Sequence, residues 1–68
     1  MNNEKQIIKN AIDTCKRERY NQIVYIEDGY ISFSRDYPNN NMYKKENVIG
    51  KVIGTWEKGC YIVKYIKR

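Results

Sequence analysis

The chain has no histidine. It therefore cannot build the Ser–His or Cys–His nucleophile pairs of covalent catalysis. With two cysteines and no histidine, one chain cannot gather the four N/S ligands of a structural zinc site. No stretch approaches the roughly 18–20 apolar residues that cross a bilayer. The opening segment MNNEKQIIKN lacks the apolar run of a signal peptide. No G-x-x-x-x-G-K-S/T or G-x-G-x-x-G string occurs to cradle phosphates. Gly50 and Gly54 sit in a basic strand pattern, the wrong setting for a membrane dimer motif. The acidic side chains are scattered singly, apart from Glu27-Asp28 at a turn. These absences predict a protein that is not an enzyme, binds no cofactor, metal or membrane, and resides in the cytoplasm. Cys15 and Cys60 are expected as free thiols, although a disulfide between them is arithmetically open.

What is present is compact. Sixty-eight residues allow one domain spanning 1–68. A chain near this size buries only about 60% of its unfolded surface, so its stability margin is thin. The net charge of +5 is segregated. Residues 1–43 carry six basic and six acidic side chains; residues 44–68 carry seven basic and two acidic. The whole excess thus lies on or beside the final stretch from Val48 to Arg68.

The first element reads as a helix from about Asn3 to Arg19. Asn3 suits the N-cap, Gln6 the capping-box position, and Lys16, Arg17 and Arg19 the negative end of the dipole. Ile7, Ile8, Ala11, Ile12 and Cys15 follow the i, i+3, i+4, i+7 spacing of one apolar stripe. Lys5, Lys9 and Lys16 fall together beside it, as a solvated face or a phosphate-facing ridge.

Asp28-Gly29 between alternating runs signals a tight hairpin, because a type I′ turn needs positive φ at both central residues. The register then pairs Glu27 with Tyr30, Ile26 with Ile31, Tyr25 with Ser32 and Val24 with Phe33. Val24, Ile26, Ile31 and Phe33 form the face expected to meet the helix. Ile23, Tyr25, Glu27, Tyr30, Ser32 and Ser34 form a mixed face expected to meet solvent. Asp36 to Asn47 reads as a loop, with a short helical turn or extended piece at Met42-Tyr43-Lys44-Lys45.

The second hairpin turns at Glu57-Lys58-Gly59. Gly59 suits the left-handed position of a three-residue loop with a bulge, which pairs Ile53 with Val63, Thr55 with Tyr61 and Lys51 with Tyr65. Both faces are then fairly apolar, as in the centre of a core or a surface that meets a partner. Gly50 and Gly54 predict a bend or a close backbone approach. The expected architecture is α+β, an N-terminal helix on a four-stranded, mainly antiparallel twisted sheet in the order α-β-β-β-β.

One resemblance runs from Ile23 to Trp56. Ile23 to Arg35, IVYIEDGYISFSR, resembles the hairpin that bears the catalytic lysine in the C-terminal, self-cleaving domain of LexA-like and phage repressors. Asn47 to Gly54, NVIGKVIG, resembles the late strand of that domain. The resemblance covers about half the chain. The family's lysine position falls at about Ser34, and the segment with the nucleophilic serine is replaced by the N-terminal helix. It implies a non-catalytic remnant, in keeping with a small phage or mobile-element protein.

Seven tyrosines exceed what a small core hides easily, since a buried phenol needs a partner. Tyrosine beside lysine on strands can hold single-stranded nucleic acid, with rings on bases and cations on phosphates. Tyrosine is also enriched at protein interfaces. The candidate binding residues are Lys44, Lys45, Lys51, Lys58, Tyr61, Lys64, Tyr65, Lys67 and Arg68. The function expected first is non-enzymatic binding of nucleic acid, or of a nucleic-acid complex, through this basic and aromatic hairpin. Inhibition or regulation of a host or phage protein stands as the alternative. A homodimeric structural module is a third.

Overall fold

The computed structural model describes residues 3–39 and 43–68. One helix, α1 (Glu4–Glu18), is followed by strands β1 (Gln22–Glu27), β2 (Tyr30–Arg35), β3 (Val48–Glu57) and β4 (Cys60–Lys67), with a 3-10 turn at Lys45–Asn47. The strands form one sheet in the order β2-β1-β3-β4, and every neighbouring pair is antiparallel. The helix lies on one face and touches all four strands. This is the α+β architecture that the sequence predicts.

The helix starts where a side chain can cap it. Asn3 Oδ1 accepts from the backbone N–H of Lys5 at 2.9 Å and of Gln6 at 3.4 Å, satisfying donors that have no partner within the helix. The Gln6 side chain does not close a capping box; its Nε2 donates to Asn10 Oδ1 at 3.0 Å. Arg19 ends the helix in the left-handed region (φ 57°, ψ 45°), and its N–H donates to the Cys15 carbonyl at 2.7 Å. That bond satisfies one of the last free carbonyls.

The helix stripe meets the sheet at Ala11 and Cys15, fully buried against Val24 and Val52. Ile8, Ile12, Phe33, Val63, Tyr61 and Tyr65 pack around them. Each fully buried valine contributes roughly 1.5–3 kcal/mol relative to exposure. The core is therefore narrow and centred on β1 and β3.

The first hairpin has the register expected from Asp28-Gly29, from Glu27 opposite Tyr30 to Val24 opposite Phe33. Asp28 and Gly29 both have positive φ, at 51° and 80°. Its faces differ from expectation in two places. Ile23 and Tyr25 do not meet solvent; they are 2% and 5% exposed. The Tyr43 ring stacks on Tyr25 with centroids 5.4 Å apart, and the 3-10 turn contacts β1. Ile26, expected in the core, is exposed near the turn. The helical piece expected around residues 42–45 falls at Lys45–Asn47 instead; Asn40, Asn41 and Met42 lie outside the described residues.

The second hairpin corrects the predicted register by one residue. Lys58 and Gly59 form a two-residue loop, with φ of 50° and 82°, and Glu57 lies opposite Cys60. Ile53 therefore faces Lys64, not Val63; Thr55 faces Ile62, not Tyr61; and Lys51 faces Ile66, not Tyr65. Packing explains the choice. In this register the Tyr61 ring lies over Gly54 and the Tyr65 ring over Gly50, each diagonally across the ladder. A Cβ at either glycine would overlap the ring. The close approach expected at Gly50 and Gly54 is thus an approach by aromatic side chains, which shields a strand backbone that lacks side chains of its own.

Candidate binding face of the sheet

Strand alternation sends successive side chains to opposite faces. On β3 and β4 the helix side takes Val52, Gly54 and Trp56 together with Tyr61, Val63 and Tyr65. The other side takes Lys51, Ile53 and Thr55 together with Ile62, Lys64 and Ile66. On that side Lys51 stands opposite Ile66, and Ile53 opposite Lys64. The lysine stems can lie along the isoleucines while their ammonium groups stay in water.

This second side is covered unevenly. Over β1, Ile23 and Tyr25 are buried, Tyr25 beneath the Tyr43 ring. Over β4, Ile62 and Ile66 stay 45% and 46% exposed, and among the described residues no element lies on them. Single exposed apolar side chains are ordinary on a surface. Two isoleucines framing a lysine on one strand, with another lysine across the ladder, form a small apolar and basic patch.

At the border between covered and open halves lies a groove of about 470 Å³. Ile23, Val48 and Ile66 supply its apolar lining, and Tyr43 closes one side. Lys45, Lys51 and Arg68 bring positive charge to it, with Asp36 opposing them. A shift in the β1–β3 register between Val24 and Tyr25 sets Val48, rather than Ile49, opposite Tyr25. Ile49 packs on the core, while Val48 lines the groove. Arg68 is tied in place. Its backbone N–H donates to the Ile49 carbonyl at 2.9 Å, and its Nη1 donates to the carbonyls of Lys45 at 2.6 Å and Val48 at 3.2 Å. Burial, and then the Asp36 charge, push the Tyr43 phenol above its ordinary value, so it remains a neutral donor.

The nine residues singled out in the sequence do not gather at one place. Lys45, Lys51 and Arg68 meet at the groove, and Lys64 shares the open face. Lys44 is exposed just before the 3-10 turn, and Lys58 forms the far hairpin tip. Lys67, opposite Gly50, falls on the helix side of edge strand β4. Tyr61 and Tyr65 are also on the helix side and partly buried. The Tyr61 hydroxyl is 3.9 Å from Cys15 Sγ, and the Tyr65 hydroxyl donates to the Ile49 carbonyl at 3.4 Å. Burial raises both phenols above their usual value; the contact with Cys15 adds to this for Tyr61, and the Glu4 charge for Tyr65. Their rings complete the core and do not stand beside Lys64.

Ile62, Ile66, Val48 and Tyr43 are the functional candidates that residue type alone passes over. The isoleucines were legible as one side of an alternating strand. Tyr43 carries no signal within its loop, because its place depends on Tyr25, 18 positions earlier in the chain.

The exposed aromatics lie elsewhere. Trp56 is 60% exposed near the β3–β4 turn, tilted against Tyr61 with centroids 5.2 Å apart. The Arg19 guanidinium sits 4.7 Å from the Trp56 ring centre, a favourable cation–π distance. Among the described residues no helix is long and apolar enough to cross a membrane. Nor does any group of three or more His, Cys, Asp or Glu side chains there come together to hold a metal ion. Cys15 and Cys60 are free thiols, the first buried and the second exposed.

Neither protein-family models, nor curated proteins, nor solved structures match this chain.

Proposed function

We propose that this chain is a non-enzymatic binding module whose working surface is the open half of the sheet, and that its partner is a protein. One observation carries the reading: Ile62 and Ile66 stand nearly half exposed on either side of Lys64, on a face that no described element covers. An isolated sheet face of this kind gains from a partner that supplies apolar side chains and carboxylates. The charge of the C-terminal part, seven basic against two acidic residues, favours an acidic partner and speeds its encounter. Inhibition or regulation of a host or phage protein fits such a surface.

Nucleic acid is the second reading. The same positive charge favours it, as does exposed Trp56 beside Arg19, where a base could stack. The tyrosines that would have made a stacking platform with Lys64 lie on the helix side, which lowers this reading below the first.

One experiment separates the two. Tagged wild-type protein and an Ile62→Asp/Ile66→Asp variant are used to capture partners from nuclease-treated bacterial lysate. Labelled single- and double-stranded oligonucleotides are titrated in parallel at two salt concentrations. The expected result is a discrete protein captured by the wild type and lost with the variant. Absence of such a protein, together with oligonucleotide affinity that falls steeply with salt, would replace the first reading by the second.

A further inference from the structure

The groove beside the open face combines an apolar lining with a rim of positive charge. Its lining from Ile23, Val48 and Ile66 is apolar, yet Lys45, Lys51 and Arg68 surround it against the single carboxylate of Asp36. The Arg68 guanidinium is held at the border by two backbone carbonyls, so one cation is fixed before a ligand arrives. Pre-organisation of this kind lowers the cost of binding.

We propose that the groove is the docking site for a short acidic peptide segment of the partner. This rests on the reading of the open sheet face as a protein-binding surface. An apolar side chain of the segment sits against Ile23, Val48 and Ile66. Carboxylates on either side of it meet Lys51 and the Lys45–Arg68 corner. The arrangement favours a peptide over a lone phosphate. A phosphate site converges its donors on one point, whereas here the cations are distributed around an apolar lining. Tyr43 forms part of the wall. The volume, about 470 Å³, is within the range of sites that take small ligands or a few side chains.

The test is an amide NMR titration of the full chain. The probe is the blocked hexapeptide Asp-Glu-Leu-Phe-Asp-Glu. Its Asn/Gln counterpart, inorganic phosphate and a single-stranded oligothymidylate serve as comparison arms. Saturable shifts are expected at Ile23, Val48, Lys51 and Ile66 with the acidic peptide. Lys51→Glu should weaken binding at least tenfold. Lys58→Glu, which makes the same charge change at the hairpin tip, should leave it unchanged. Both positions are exposed, so the variants should fold, and thermal melts check this. Equal weakening by the two variants would mean general charge attraction and overturn the proposal. So would matching shifts from the neutral peptide, phosphate or oligonucleotide. Lysate capture that survives Lys51→Glu but is lost with Ile62→Asp would overturn the groove and leave the sheet-face reading standing. Capture indifferent to Ile62→Asp would remove the sheet-face reading instead.

Discussion

Gly54→Ala should destabilise the protein even though the backbone at position 54 would accept alanine. Neither Gly50 nor Gly54 has a positive φ. Glycine in a strand is roughly 0.5–1 kcal/mol worse than alanine on entropic grounds, so backbone alone predicts a gain. Against it stands the Tyr61 ring, which occupies the space a methyl group needs. The ring cannot move aside freely. Trp56 packs on it at 5.2 Å, and its hydroxyl meets buried Cys15 at 3.9 Å. Forcing extra volume into such a site costs about 1–3 kcal/mol. The net expectation is a loss of about 0.5–2 kcal/mol after the backbone gain is subtracted. For a chain this short, total stability is on the order of 3–10 kcal/mol, so the loss is easily seen in urea melts followed by circular dichroism. The decisive measurement is the double-mutant cycle with Tyr61→Ala. Once the ring is gone, Gly54→Ala should become neutral or stabilising by about 0.5–1 kcal/mol. The two glycines lie under different rings, so Gly50→Ala should behave likewise with Tyr65→Ala. If Gly54→Ala has the same effect in both backgrounds, the rings do not set the register and the reasoning fails.

Four further outcomes are expected. Burial raises the Tyr43, Tyr61 and Tyr65 phenols, so the fold keeps them protonated where the unfolded chain already ionises. Their contribution is complete below the ordinary phenol value of about 10 and is lost as pH rises through the folded values; phenolate absorbance should show a late-titrating fraction, and a single step for all tyrosines would contradict this. Asn3→Ala should cost about 1 kcal/mol by removing the cap, and an unchanged melting temperature would show that the helix end does not depend on it. Lys58→Asn should stabilise by about 0.5–1 kcal/mol, because asparagine tolerates the left-handed conformation that Lys58 adopts; a fall in melting temperature would argue against the two-residue turn. In the native protein a thiol reagent should modify exposed Cys60 quickly and buried Cys15 only as fast as the protein unfolds; two equally fast thiols would contradict the packing of Cys15 under Tyr61.

Where local chemistry and periodicity agree, the sequence is easily read. Asn3, the isoleucine stripe and Asp28-Gly29 each specify their element, and the first hairpin has the register that its turn demands. Glu57-Lys58-Gly59 is different. Gly59 fits either the left-handed position of a three-residue loop or the second position of a two-residue loop, and lysine is not a usual residue at positive φ. The turn therefore leaves the register open, and a long-range match decides it. Gly50 and Gly54 are four residues apart, as are Tyr61 and Tyr65. Of the two registers the turn allows, only the two-residue loop sends the rings to the face of the glycines, and the equal spacing makes it do so for both pairs. That matched spacing was visible in the sequence. The burial of Tyr25 was not, because it depends on a ring, Tyr43, distant in the chain, and alternation within β1 carries no record of it.

The functional reading turns on strand parity. On β4, Tyr61 and Tyr65 are odd-numbered and Lys64 is even-numbered, so no register of the hairpin puts them on one face. A stacking platform made of these three residues is excluded by alternation before any packing is considered. What register does decide is which half of β3 joins each set. The observed pairing gives Val52, Trp56 and both glycines to the tyrosines, and Lys51, Ile53 and Thr55 to Lys64. The helix covers Val52 and both tyrosines of the first set and leaves Trp56 exposed. A single 15-residue helix cannot also cover the second, and Tyr43, which stacks on Tyr25, leaves Ile62 and Ile66 open. The second hairpin is thus core on one side and open on the other. Lys51 and Lys64 lie with the open side, where they keep an exposed isoleucine pair soluble and, on the proposed function, favour a partner of opposite charge.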